Sequence, residues 1–137
     1  MKSRIVRAGL VTFVLLAIFT SGALAGKGGP GTSTGTGQIC LPNPVAYLGD
    51  QSLTDQKDAN SPALQSAYKT VRLTNLDGSG FLRGDWANIV SETGNPAFSS
   101  TNTFVYTRDD DRFEQVMAYY WVTEAQKNIQ SLGFGTT

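Results

Sequence analysis

The chain has 137 residues, 16% of them charged, and a formal net charge of zero. This length allows at most one domain. The chain contains no histidine and one cysteine, Cys40, so it cannot assemble a Ser-His-Asp or Cys-His nucleophile and offers few of the ligands that zinc sites use. One thiol also cannot form an internal disulfide.

The first 25 residues have the pattern of a secretory signal peptide. Three basic residues among the first seven precede a short apolar run, Ala8–Thr20, and Ala23-Leu24-Ala25 fits a small-x-small cleavage site. The alternative is an uncleaved membrane anchor, but a bilayer span needs about 20 apolar residues. We therefore expect a secreted, extracellular protein without a stable membrane anchor.

Cleavage of this signal would change the charge balance. The remaining chain keeps eight basic residues against 11 acidic ones, an excess of three negative charges. Phosphate backbones would be repelled, so we expect no nucleic-acid partner.

The segment after the signal is rich in glycine. Gly26–Gly37 reads GKGGPGTSTGTG, a composition typical of flexible linkers. Residues 26–40 are therefore predicted to be a disordered linker, and residues 41–137 the folded part.

The folded part begins with a β-rich region. Leu41–Pro62 contains three prolines and predicts extended chain and turns, with a short strand at Val45–Leu48. Three further strands are predicted from alternating apolar residues and flanking turn signals. They are Ala67–Leu76, Gly80–Val90 and Thr101–Thr107.

A long amphipathic helix, Arg112–Leu132, follows. Asp109-Asp110-Asp111 places carboxylates where a helix N-terminus favours them, Asp111 and Glu114 fit a capping box, and Gly133 supplies a stop. One apolar face holds Phe113, Val116, Met117 and Tyr120, and a neighbouring face holds Trp121, Val122, Ala125, Ile129 and Leu132. A membrane-surface helix would carry several basic residues and this one has only Lys127, so the pattern favours a core helix with partners on two sides.

The stretch Asn75–Trp86 resembles a calcium loop in part. Asn75, Asp77 and Ser79 occupy the first ligand positions of an EF-hand, but the last position, which should be a bidentate Glu, is Trp86. A hairpin turn at Asp77–Gly80 explains the same residues, and we favour it.

The other candidate residues have simpler explanations as well. Arg83-Gly84-Asp85 matches an adhesion tripeptide but falls in a predicted strand, and nothing near Cys40 in the sequence would activate its thiol. Asp109–Asp111 could hold a cation together with Asp50, Asp55 or Asp58, but helix capping already accounts for them. Paired carboxylates for acid–base chemistry stay open, since such pairing is spatial. We therefore assign no catalytic, cofactor-binding or metal-binding residue in this chain.

Two stretches together resemble secreted fungalysin-like zinc metallopeptidases, which are related to thermolysin. Pro42–Val90 is similar to the start of their mature part, and Phe113–Phe134, which contains Val-Met-Ala-Tyr-Tyr and Ile-Gln-Ser-Leu-Gly-Phe, is similar to their first long helix. The two stretches cover most of the mature chain in the same order.

The resemblance implies an α+β fold, with a small β-rich lobe of three to four antiparallel strands followed by the long helix. It also implies the N-terminal part of an extracellular zinc metalloendopeptidase, whose His-Glu-x-x-His motif and zinc ligands would lie beyond Thr137. The chain would then be inactive alone and its partner would be the remaining peptidase domain. The alternative is a small secreted non-catalytic module that binds a surface or a polypeptide through its strands.

Overall fold

The computed structural model of the protein describes residues 31, 33–53, 60 and 62–135. The predicted signal peptide lies outside the described residues. In chain order the elements are strand β1 (Ser33–Cys40), helix α1 (Pro44–Leu48), a short 3-10 helix (Pro62–Ser66), strand β2 (Tyr68–Leu76), strand β3 (Thr103–Phe104) and helix α2 (Asp111–Ser131).

The three strands form one sheet in the order β2-β1-β3. β1 runs antiparallel to β2, with Gly37 opposite Val71, and parallel to β3, with Gly37 opposite Phe104. The predicted α+β class with one long helix is therefore confirmed. The sheet is mixed rather than antiparallel, and the described residues contribute three strands, the lower end of the predicted three to four.

The central strand β1 corrects the prediction of a disordered linker at residues 26–40, since residues 33–40 are part of the sheet. The glycines are there because other groups approach closely. A Cβ on Gly37 would lie 2.7 Å from Cγ1 of Val116, and one on Gly35 would overlap the carbonyl oxygen of Asn102. The high glycine content predicts a flexible linker, but in β1 glycine instead allows atoms of other residues to pack close to the backbone.

The predictions for the first two strands have different outcomes. β2, Tyr68–Leu76, lies inside the predicted strand Ala67–Leu76. The strand predicted at Val45–Leu48 is wrong, because Pro44–Leu48 forms a helix. The Asn43 side chain accepts a hydrogen bond from the Ala46 amide at 2.8 Å, and proline stands in the first turn, where its missing N–H costs nothing.

The last two predicted strands are largely absent. Residues 80–90 make only isolated bridges, between Phe81 and Phe98 and between Arg83 and Asn88. The Asp77 amide donates to the Arg83 carbonyl at 2.8 Å, which closes the chain into a loop rather than extending a hairpin. Of the segment 101–107, only Thr103–Phe104 pairs as a strand.

The core lies between one face of the sheet and α2. Its main cluster contains Ile39, Leu73, Leu76, Leu82, Ala97, Phe104, Val116 and Tyr119. A smaller cluster joins Cys40, Ala67 and Phe113 beside it. The Tyr119 hydroxyl donates to the Thr74 carbonyl at 3.0 Å, so the one polar atom of this buried ring is satisfied.

Helix α2 starts and ends one residue earlier than the predicted Arg112–Leu132. The N-cap is Asp110 rather than Asp111, because the Asp110 carboxylate accepts from the Arg112 amide at 3.0 Å. At the other end, Gly133 adopts a φ of +87°, and its amide and that of Phe134 donate to the carbonyls of Gln130 and Ile129. This is a Schellman motif, and it confirms the predicted stop at Gly133.

Candidate functional site

Among the described residues, a groove lies between α1 and the first turns of α2. It has a volume of about 570 Å³, and its walls include Val45, Leu53, Phe113 and Met117. The Asn43 cap fixes the first turn of α1, and Leu48 at the end of α1 packs against the cluster of Cys40, Ala67 and Phe113. Phe113 and Met117 lie four residues apart on α2, so they share one side of the helix.

Two charged residues, Arg108 and Glu114, also line this groove. An apolar cleft with one guanidinium and one carboxylate can hold an apolar side chain or a small ligand and orient its polar end. Among the described residues that line it, no two side chains form a pair suited to nucleophilic or acid–base catalysis. The groove was not predicted, because α1 was expected to be a strand.

The lone cysteine lies beneath this region and is fully buried. Burial raises the pKa of the Cys40 thiol, and the nearby positive charge of Arg108 opposes that shift only in part. The thiolate is the reactive form of cysteine, so the environment of Cys40 disfavours nucleophilic chemistry. Its backbone amide lies 3.2 Å from Sδ of Met117.

The three carboxylates at the start of α2, Asp109, Asp110 and Asp111, hold protein groups in place. Asp110 forms an ion pair with Arg112 at 2.6 Å, which lowers the pKa of Asp110, and the Arg112 guanidinium stacks 4.5 Å from the Tyr106 ring centroid. Asp109 accepts from the Thr107 hydroxyl at 2.5 Å.

Asp111 ties the loop before β3 to the helix. Its two oxygens accept from the Thr93 hydroxyl and from the Asn95 side-chain amide. Gln115, one turn further along α2, accepts from the Ala97 amide at 2.9 Å and donates to the Asn95 carbonyl at 3.0 Å. These partners explain the acidic run as a capping and loop-anchoring device.

Within the described residues, none of the aspartates predicted to share a cation with Asp109–Asp111 joins them in a metal-binding group. Asp55 and Asp58 lie outside the described residues, and the Asp50 carboxylate accepts from the Ser52 amide at 2.9 Å within its own turn. Within residues 31, 33–53, 60 and 62–135 there is no group of three or more metal-binding side chains.

The segment with partial calcium-loop character is organised by Asn75. This residue has a φ of +61°, its side-chain oxygen accepts from the Asp85 amide at 2.8 Å, and its amide nitrogen donates to the Asp85 carboxylate at 3.3 Å. Asp77 accepts from the Ser79 amide at 2.8 Å. The side chains that would be calcium ligands thus bond to the loop backbone.

The tripeptide Arg83-Gly84-Asp85 lies in this loop and not in the predicted strand. A Cβ on Gly84 would overlap the Asn75 carbonyl, the Arg83 guanidinium lies 5.0 Å from the Phe81 ring centroid, and Asp85 is bonded to Asn75. Each of the three residues therefore has a structural role inside the loop.

The second half of α2 presents apolar side chains to solvent. The buried residues of α2 as a whole are Phe113, Val116, Tyr119 and Thr123, and none of the described residues after Thr123 is buried. Trp121, Val122, Ile129, Leu132 and Phe134 are 40%, 45%, 44%, 66% and 65% exposed. The predicted helix with two apolar faces therefore has one face in the core and one without cover from the described residues.

Among the described residues, no helix is long and apolar enough to cross a lipid bilayer. Comparison with known proteins returned no match, whether with a protein-family model, a curated protein or a solved structure.

Proposed function

We propose that this chain is the N-terminal supporting lobe of a secreted zinc metallopeptidase, completed by further polypeptide and without peptidase activity alone. Its sheet and α2 would form the floor on which the zinc-binding part rests. The zinc and the catalytic groups would come from that further polypeptide, and proteins outside the cell would be the substrate.

The observation that carries this proposal is the exposed apolar side of α2. Leu132 and Phe134 are each about two thirds exposed, and Trp121 and Ile129 are more than a third exposed. Large apolar side chains exposed in one part of the molecule support an interface with other polypeptide. A lobe that continues into a larger domain would have such a surface. The resemblance of Phe113–Phe134 to the first long helix of the peptidases supports the same proposal.

A second candidate is a small non-catalytic binding module, and the groove beside α1 favours it. Its apolar walls and volume of about 570 Å³ fit a side chain or short peptide from another protein. On this interpretation no further domain would cover the exposed side of α2.

The test compares the chain as given with the chain extended through the codons that follow Thr137. In the extended protein we expect slower amide hydrogen exchange across Val122–Leu132, because the apolar side becomes covered. We also expect cleavage of a denatured protein substrate that is lost when zinc is chelated. The chain as given should cleave nothing, with or without zinc.

The matched control is an extended protein carrying Ser131→Asp, which changes an exposed polar position of α2 and should leave both readouts unchanged. Ile129→Asp in the same protein should restore fast exchange. An extended protein with unprotected α2 and no zinc-dependent cleavage would contradict the proposal, and peptide binding in the groove would then support the module.

A further inference from the structure

Four exposed apolar residues of α2 and its C-cap Leu132 form a regular line along the helix. Ala118, Val122, Ala125, Ile129 and Leu132 are separated by four, three, four and three residues, and all five are exposed. We call these five residues the α2 seam. Alternating steps of four and three are the heptad spacing at which one helix packs against another, so the seam predicts a helical occupant rather than a strand or a loop.

The residues that flank the seam carry no charge. Gln126 and Asn128 lie on either side of its centre, and Trp121 flanks its beginning. Like charges at flanking positions would repel an identical helix. The charged pair of this half, Lys127 and Glu124, is joined by a salt bridge of 2.5 Å and lies outside the seam. The surface is thus electrostatically compatible with a copy of itself.

The seam also lies where a second molecule can reach it. Thr123 is the last buried residue of α2, and the helix continues for two further turns to Ser131. Val122 to Leu132 therefore spans about 15 Å of helix, most of it beyond the core. Two copies joined through these halves would place their folded bodies at opposite ends of the pair.

We infer that the chain as given self-associates through the α2 seam, with two α2 helices packed antiparallel. In that orientation a register exists in which Val122 faces Leu132 and Ala125 faces Ile129 of the second copy, so each small residue meets a larger one. A parallel pair would place Ala125 against Ala125 and leave a gap between the helices. The inference goes beyond the proposed function, since it concerns the 137-residue chain alone, whose described residues leave the seam uncovered, whereas the proposed further polypeptide would cover the same residues.

The first experiment is sedimentation velocity of the chain from about 10 µM to about 1 mM, a range suited to a small, weak interface. We expect the weight-average mass to rise from one copy toward two. Ile129→Asp should hold the protein at one copy throughout. Ser131→Asp, an exposed polar position on the same turn but outside the seam, should self-associate like the parent.

Orientation is tested by mixing Ala125→Cys chains with Ile129→Cys chains under mild oxidation, Cys40 being buried. The antiparallel pair should give mainly the mixed disulfide, and circular dichroism should show both variants folded. A monomer at every concentration, an Ile129→Asp variant that still associates, or mainly homodisulfides would each overturn the inference. A monomer would leave the peptidase-lobe proposal intact, because that proposal requires further polypeptide and no second copy.

Discussion

Val116 of α2 lies directly over Gly37 of β1, so close that a Cβ on the glycine would come within 2.7 Å of a Val116 methyl group. Val116 is fully buried, and Gly37 is on the central strand, between β2 and β3. The contact therefore sets how near the helix approaches the sheet.

Gly37→Ala should destabilise the fold by about 1–3 kcal/mol, because an added methyl in a packed core forces neighbouring atoms apart. Urea denaturation measures this change. Val116→Ala alone should also destabilise, by about 2 kcal/mol, through the cavity it leaves. The double variant should lose less than the sum, since the alanine at 116 makes room for the new methyl. Additive losses would show that the two residues do not touch.

Tyr119 should make the fold sensitive to alkali. Burial raises the pKa of its hydroxyl to about 12, above the value of about 10 in an unfolded chain. Its contribution to stability is therefore complete below pH 10 and is lost as the pH rises from 10 through 12, by at most about 1.4 kcal/mol per pH unit. In Tyr119→Phe this part of the pH dependence should vanish. Urea midpoints between pH 8 and 12 measure it, and equal slopes in the two proteins would contradict the assignment.

Asp110 should contribute through its cap and through its charge. Asp110→Ala removes the acceptor for the Arg112 amide and should cost about 1 kcal/mol. Asp110→Asn keeps a capping oxygen and should cost less at neutral pH. The pKa of Asp110 is lowered by Arg112, so its charge stabilises the fold above the unfolded-state value and this stability is lost as the pH falls through the folded-state value. Acid titration should show a smaller loss in Asp110→Asn, and an identical acid transition in the two proteins would argue against the ion pair.

Asn75 should stabilise its loop through both backbone and side chain. Asn75→Ala loses the acceptor for the Asp85 amide and leaves alanine at a φ of +61°, which together should cost about 1–3 kcal/mol. Asn75→Gly relieves the backbone strain alone, so its thermal midpoint should fall between those of the parent and Asn75→Ala. If glycine restores the parent midpoint, the side-chain hydrogen bonds contribute nothing.

The long helix and β2 could be predicted because their signals are local. Helix α2 is indicated by the helical spacing of its apolar residues, by the acidic residues before Arg112 and by Gly133 after its last turn. Strand β2 is indicated by the alternation of apolar and polar residues from Tyr68. The helix began one residue early because Asp110 and Asp111 are equivalent in sequence, and only geometry shows which carboxylate caps.

β1 could not be predicted, because the reason for its glycines is tertiary. A side chain at Gly35 or Gly37 would collide with Asn102 or Val116, residues more than 60 positions away in the sequence. The groove was missed for a different, local reason: the cap at Asn43 outweighs the strand preference of Val45–Leu48. The exposed side of α2 was foreseen as a second apolar face, although its occupant depends on polypeptide other than the residues described.

The most direct test of the central claim is to read the codons that follow Thr137 in the gene. We expect an in-frame His-Glu-x-x-His motif within the next couple of hundred codons, which would make this chain the first lobe of a zinc peptidase. A stop codon with no such motif in any frame would contradict the account and leave the secreted binding module, with its groove between α1 and α2, as the better explanation.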